Sequence, residues 1–284
     1  MSQFHIIDIN RDSVELEPNR QGFGRGLLQA GKDNEAVVAV SADLTGSTKM
    51  DLFAEAFPER AFNAGVAEQN LVTVGSGLAA GGKIPFVSSY AAFSPGRNWE
   101  QIRTTICLND RPVKIVGSHA GISVGPDGAT HQMLEDIAIM RALPNMVVLA
   151  PCDSVEAEKM TLAMVADKRP NYMRLAREKV PIVTTKATPF EIGKAYVFEP
   201  GADVTIIATG TMTYHALVAA DKLYKDGIDA EVIHCPTIKP LDAVTILQSV
   251  RKTKHVITAE EHQRSGGLGG AVAELLSEHY PVPV

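Results

Sequence analysis

A chain of 284 residues, 45% hydrophobic and 21% charged, has the make-up of ordinary globular material and the length for two domains. Its formal net charge is −6, and Lys and Arg are scattered with no basic block, so the pattern argues against nucleic acid and anionic membrane surfaces as partners. Three cysteines (Cys107, Cys152, Cys235) at no metal-ligand spacing, no signal-peptide pattern over Met1–Glu15 and no apolar run near the roughly 18 residues of a membrane span lead us to expect a cytoplasmic protein with reduced, mostly buried thiols.

In chain order, Met1 to Pro18 has no clear period and reads as an arm. An amphipathic helix is expected over about Gln21–Ala30, closed by Gly31. Ala36–Val40 is a short all-apolar strand, as in a sheet covered on both faces, and Ser41-Ala-Asp-Leu-Thr-Gly-Ser47 follows it directly. A helix over Asp51–Phe57 stops at Pro58. The Ala61 strand leads into Gly65-Val-Ala-Glu-Gln-Asn70 and a small-residue helix over about Gln69–Ala80. The strand Ile84–Ser88 follows, with Tyr90 and Phe93 just beyond its end. Next come a helix near Asn98–Leu108, the strand Val113–Gly117 and a long Gly- and Pro-containing loop, Ser118–Gln132, of the kind that tends to carry function. A helix (Met133–Arg141), a strand (Val147–Ala150), a helix (Val155–Asp167) and a strand (Tyr172–Leu175) complete the unit.

Pro181–Pro189, with three Thr and two Pro, reads as a linker. A second βα series follows: Val204–Ala208, Tyr214–Lys225, Ala230–His234, Ala243–Val250, Val256–Thr258 and Gly269–Leu276. Such alternation implies an α/β fold in two domains, each a mostly parallel sheet flanked by helices, at residues 1–182 and 190–284 about a linker at 183–189.

Glu68 falls where a strand hands over to a helix, at the carboxyl end of a strand, where parallel α/β folds place their chemistry. Val66, Ala67, Leu71 and Val72 flank it and cannot pair with it. Burial among them favours a protonated carboxyl, while a helix N-terminus favours the charge. The plain alternative is a capping Glu in a first helical turn. His119 and His131 bracket the long loop with Asp127 between them, a set suited to a polyol, to a metal or simply to solvent. Arg20, Arg174 and Arg177 lie near expected strand ends, and a guanidinium fork suits phosphate.

Gly121-Ile-Ser-Val-Gly125 matches the nucleophile-elbow pattern, but no strand immediately precedes Ser123 and turn residues follow it, which argues against a serine hydrolase. The clusters Gly22-Phe-Gly-Arg-Gly26 and Gly266-Gly-Leu-Gly-Gly270 lack the context of a dinucleotide site and read as close backbone packing.

Together Ser41–Ser47, Gly65–Asn70, Gly125-Pro-Asp-Gly-Ala-Thr-His131, Leu143-Pro-Asn-Met146 and Ala150-Pro-Cys-Asp153 resemble the C-terminal half of transketolase, over nearly the whole chain. The resemblance implies a pyrimidine-binding domain followed by a transketolase C-terminal domain. The family's diphosphate motif, Gly-Asp-Gly with a downstream Asn, is not found; Asp127-Gly128 follows Pro126 and matches the family's sugar-binding loop. The implied protein is the second subunit of a split transketolase. Its N-terminal partner would hold the diphosphate and Mg²⁺ of a shared thiamine diphosphate, and the assembly would be an α2β2 heterotetramer acting on sugar phosphates.

By the same resemblance Glu68 matches the glutamate that activates the coenzyme. Tyr90 and Phe93 match aromatics packed on its pyrimidine, with Tyr90 standing where the family usually has Phe, and a third family aromatic falls at Gly96. Asp43 matches a residue supporting the coenzyme across the subunit boundary. His119 and His131 match histidines contacting the sugar phosphate and the donor ketose, Asp127 a carboxylate reading a hydroxyl, and Arg20, Ser47 and Arg177 the phosphate-binding group. The activity implied is two-carbon ketol transfer from a ketose phosphate to an aldose phosphate. The alternatives are a deoxyxylulose-phosphate synthase, the β subunit of a 2-oxoacid dehydrogenase and a non-catalytic scaffold partner.

Overall fold

The computed structural model describes residues 6–7 and 14–284; most of the expected N-terminal arm lies outside them. The first half runs β1 (Leu16–Pro18), α1 (Asn19–Asp33), β2 (Val37–Ser41), α2 (Asp51–Ala56), β3 (Ala61–Asn63), α3 (Glu68–Ala80), β4 (Ile84–Tyr90), α4 (Trp99–Gln101), β5 (Lys114–Ser118), α5 (Asp136–Arg141), β6 (Val147–Leu149), α6 (Ser154–Ala166), β7 (Asn171–Arg174) and β8 (Lys179–Pro181). The second half runs β9 (Tyr196–Glu199), β10 (Val204–Ala208), α7 (Met212–Lys225), β11 (Ala230–His234), β12 (Thr237–Lys239), α8 (Ala243–Thr253), β13 (Val256–Ala259) and α9 (Leu268–His279).

The larger sheet has the order β12-β6-β7-β5-β4-β2-β3, and every pairing in it is parallel except β12 with β6. Its last strand therefore comes from the second half of the chain. The smaller sheet, β13-β10-β11-β9, is parallel apart from β9. β1 and β8 form a separate antiparallel ribbon.

All five residues of β2 are buried because its two faces serve two layers. Val37 and Ala39 pack with Phe23, Leu27, Met160 and Met164, beneath α1 and α6. Val40 points the other way, into a core of Leu71, Val72 and Ile106 that continues through Ile207 and Ile233 into the second half. Polar groups reinforce that junction. Buried Arg174 donates through Nε to Asp136 (3.0 Å) and through Nη2 to the Glu261 carbonyl (2.7 Å), and the Tyr172 hydroxyl donates to Asp136 (2.7 Å). Glu156 on α6 meets His234 Nε2 on β11 at 2.8 Å. The Asp153 carboxylate accepts from the backbone of Glu156, Val183 and Thr184, so one side chain caps α6 and holds the start of the expected linker.

Several local expectations shift. α1 runs through Gly31 to Asp33, because Gly31 serves a contact rather than a cap: a Cβ there would lie 2.5 Å from the Phe53 ring. The helix expected near Asn98–Leu108 is one α turn followed by a π-helical stretch, Ile102–Cys107. The helix expected from Met133 starts at Asp136; the Met133 carbonyl instead accepts from Gly121 N–H and closes the long loop. That loop contains a 3₁₀ turn, Ile122–Asp127.

The first glycine cluster does serve close packing. A Cβ on Gly22 would sit 1.7 Å from the Ser154 carbonyl oxygen, and one on Gly26 would sit 2.8 Å from Thr161 Cβ, so α1 lies directly on α6. Gly22→Ala should therefore lower the midpoint of urea unfolding with an unchanged m-value, a loss of about 3 kcal/mol. Gly77→Ala, on an exposed helical site with nothing within 4 Å of the new Cβ, should raise it by about 0.5–1 kcal/mol.

Candidate active site

Because β2, β3, β4, β5 and β7 run parallel, their carboxyl ends share one edge of the sheet, and the segments leaving that edge carry the expected site residues other than Arg20, which the first turn of α1 brings there. Arg20, Gly46, Ser47, Lys49, Tyr90, His119, Asp127 and Arg177 line a cleft of about 360 Å³ there. Six of these are expected site residues. The sequence reading missed Lys49, though it lies two residues past Ser47. Three cations against one carboxylate make the cleft suited to an anion.

His119 sits at the centre. Its Nε2 lies 2.9 Å from Arg20 Nη1 and its Nδ1 lies 2.8 Å from Ser118 Oγ. A guanidinium can only donate, so Nε2 accepts and Nδ1 carries the proton toward Ser118. Burial, then the nearby Arg20 and Arg177 charges, push the imidazole down to about 4. His119 is therefore a neutral acceptor at physiological pH. The Tyr90 ring stacks on it with centroids 3.9 Å apart, Phe93 is stacked 6.3 Å from Tyr90, and His131 meets Phe93 edge-on at 5.1 Å. Four rings thus form one platform. Asp43, Lys49 and His119 all take left-handed backbone conformations, with φ of 61°, 63° and 58°. Non-glycine residues held so are strained, and such strain gathers at working sites.

Glu68 opens α3 and is 6% exposed. Its carboxylate accepts no hydrogen bond among the described residues. Neither carboxylate oxygen is among the fully buried unpartnered atoms, so what remains exposed of this side chain includes the acid itself, open to a donor that a ligand supplies. What is fixed is its backbone: Asn98 Nδ2 donates to the Glu68 carbonyl at 2.8 Å and reaches Ser94 Oγ at 3.1 Å. The start of α3 is thereby tied to the turn that carries Phe93. Asn98 was missed because it lies outside every motif. Asp43 is exposed and exchanges hydrogen bonds with Asn63 at the end of β3: its N–H donates to Asn63 Oδ1 and Asn63 Nδ2 donates back, both at 3.0 Å. No side chain replaces Gly96 in this turn without a backbone shift, since a Cβ there would lie 2.2 Å from the Ala92 carbonyl.

Arg177 donates to the Val124 carbonyl at 2.7 Å, holding the 3₁₀ turn that presents Asp127. Arg174, by contrast, is committed to Asp136 and Glu261 and does not line the cleft. Ser123 lies on that turn, and its N–H is bound by the Glu261 carboxylate at 2.7 Å, which is no nucleophile elbow. At the second glycine cluster Glu260 accepts from Leu268 and Gly269 N–H, so an internal carboxylate occupies the start of α9. The three cysteines are free and buried. Among the described residues the one cluster of potential metal ligands is Cys152, Glu156 and His234, in the core between the halves. No described helix is long and apolar enough to cross a membrane.

A coenzyme pyrimidine would need an acid, an aromatic platform and an open approach. The donorless Glu68 and the Tyr90–Phe93 stack provide the first two. The chain matches the family model for the transketolase pyrimidine-binding domain over residues 18–183 and that for the transketolase C-terminal domain over residues 193–284. It belongs to the transketolase family. A Methanocaldococcus jannaschii chain described as a transketolase C-terminal section is 47% identical, over 92% of this chain and 82% of that one. The 6-deoxy-6-sulfo-D-fructose transketolase subunit SqwH of Clostridium sp. is 41% identical, over 95% and 85%. A solved structure described as a split-gene transketolase, an inactive β4 tetramer, superposes with a TM-score of 0.88 at 46% identity, over 94% of this chain and 87% of that one. Thiamine diphosphate is the coenzyme this family implies.

Histidine ¹⁵N shifts of the full chain should report His119 as the neutral Nδ1–H tautomer at pH 7, with a protonation midpoint near 4. A midpoint near the ordinary histidine value of about 6.5 would refute the arrangement.

Proposed function

We propose that this chain is the C-terminal subunit of a thiamine-diphosphate-dependent transketolase, moving a two-carbon ketol unit from a ketose phosphate to an aldose phosphate. The observation that carries the proposal is Glu68, a largely buried residue whose carboxylate has no partner among the described residues, tied through Asn98 to the turn of the ring platform and on the same sheet edge as a cationic cleft. In this reading residues 1–182 form the pyrimidine-binding domain and residues 190–284 the transketolase C-terminal domain. A separate N-terminal subunit holds the diphosphate and its Mg²⁺, in an α2β2 assembly.

Bound coenzyme supplies an electron sink for breaking the bond beside a ketose carbonyl. The residues of this chain supply position and proton control. Glu68 holds a proton against N1′ of the aminopyrimidine, its carboxylate having no partner of its own among the described residues. Tyr90 and Phe93 support the pyrimidine face, and Asp43 braces the coenzyme at the subunit boundary. His119 faces the sugar phosphate, His131 faces the donor ketose, and Asp127 accepts from a hydroxyl. Arg20, Ser47 and Arg177, joined by Lys49, take the phosphate through charge-assisted hydrogen bonds. Relatives at 39% identity include the 1-deoxy-D-xylulose-5-phosphate synthase of Syntrophus aciditrophicus, which matches 91% of this chain but is itself covered for 40% of its length. The closer similarity to chains described as transketolase sections and subunits supports ketol transfer over synthase chemistry. Turnover of pyruvate as donor, without turnover of ketose phosphate, would reverse that choice.

In the complex reconstituted with a diphosphate-binding subunit, Glu68→Gln should cut kcat about 10²-fold or more while leaving assembly by size-exclusion chromatography unchanged. Unchanged turnover would refute the role and favour a scaffold. Arg177→Ala should raise KM for the sugar phosphate about 10- to 100-fold, the cost of a charged hydrogen bond, with a smaller change for an unphosphorylated aldose.

A further inference from the structure

Donors and acceptors around His119 do not balance within this chain. Arg20 Nη1 donates to His119 Nε2 at 2.9 Å, which leaves the ring proton on Nδ1, facing Ser118 Oγ at 2.8 Å. Ser118 is fully buried, and Nδ1 is the one hydrogen-bond partner of its hydroxyl among the described residues. A hydroxyl that accepts from Nδ1–H has no acceptor there for its own proton. Arg20 Nε is a second such donor, buried with no partner among the described residues. Two unused donors thus flank one imidazole, and a buried donor without an acceptor is costly.

We propose that the substrate's phosphate moves the His119 proton from Nδ1 to Nε2, with Ser118 as the positioning residue that permits the exchange. With the anion in place, Nε2–H and the Arg20 fork, Nε included, donate to its oxygens, and the Ser118 hydroxyl turns to donate to Nδ1. Every donor named then has an acceptor. The Nδ1 proton leaves to water and Nε2 takes one from water, so the ring stays neutral and no net proton is bound.

Burial first, then the Arg20 and Arg177 charges, hold the ring against a second proton, while Asp127 favours one. A hydroxyl suits position 118 because it donates or accepts by a turn about one bond. The Tyr90 ring, stacked 3.9 Å away, holds the imidazole plane while the protons move. The exchange also distinguishes ligands. A sugar hydroxyl can donate to Nε2 as Arg20 does, and leaves the ring as it is. An anion without a proton can only accept, so it engages His119 only after the exchange.

This deepens the proposed function and rests on its reading of the cleft as the phosphate site. Sulfate, which carries no proton near neutrality, is added to the ¹⁵N-labelled full chain, with His119 assigned by the signals lost in His119→Gln. Without sulfate, Nδ1 should show the shift of a protonated ring nitrogen and Nε2 that of a bare one. Saturating sulfate should exchange the two. In Arg20→Met, which offers Nε2 no donor, the exchanged pattern should appear without sulfate, because Ser118 then sets the tautomer. Ser118→Ala should weaken sulfate binding about fivefold, the worth of one hydrogen bond, and Ser118→Thr should restore it. Two protonated ring nitrogens in saturating sulfate, or Nδ1–H persisting in Arg20→Met, overturns the exchange. An unchanged ring while amides around Lys49 and Arg177 shift overturns it too, and leaves the anion site standing. No response at either place overturns the phosphate reading as well.

Discussion

Parallel register is the constraint on which everything else in this molecule rests. With β2, β3, β4, β5 and β7 pointing the same way, the loops after them leave from one edge. Residues from Arg20 to Arg177, far apart in the chain, meet there because the strands between them are aligned. The sheet is buried on both faces, so a slip of one residue would turn Val40 and its neighbours out of their layer. The same burial that holds the register holds the site.

Two kinds of contact bring the remaining pieces to that edge. Glycines do it by lacking a side chain. With no Cβ at Gly22 and Gly26, α1 lies directly on α6, and the first turn of α1 carries Arg20 over the cleft. Buried polar groups do it by direction. Asp136, Arg174 and Glu261 join the halves beneath the long loop, while Arg177 and Glu261 each bind the backbone of the 3₁₀ turn bearing Asp127. Removing one member of the Asp136–Arg174 pair would leave a charge in the core without its partner, which is far costlier than the pair is valuable.

The site itself divides into two parts of opposite electrostatic character. At one end Glu68 opens α3 with a carboxylate that accepts no hydrogen bond among the described residues. At the other, Arg20, Lys49 and Arg177 concentrate positive charge around a neutral His119. The rings of Tyr90, Phe93, His119 and His131 form one platform, of which Tyr90 and His119 line the cationic cleft. Asn98, holding the backbone of Glu68 and the turn of Phe93, makes their spacing a property of the fold rather than of two flexible side chains.

Periodicity and motif together determined much of this. Alternating apolar runs gave the α/β class and most strands of both sheets, because a strand covered on two faces must be apolar throughout. The strand-to-helix position of Glu68 and the loop bracketed by His119 and His131 were legible for the same local reason. The tertiary structure decided what locality cannot express. β12 is three residues that join the sheet of the other half, and no period marks so short a strand. Arg174 and Arg177 look alike in sequence, yet a buried Asp136 claims one and leaves the other at the cleft. Lys49 and Asn98 gain their places only once loops distant in the chain are folded together. The neutral state of His119 follows from burial and from the charges of Arg20 and Arg177, which lie 99 and 58 positions away in the chain and act through space.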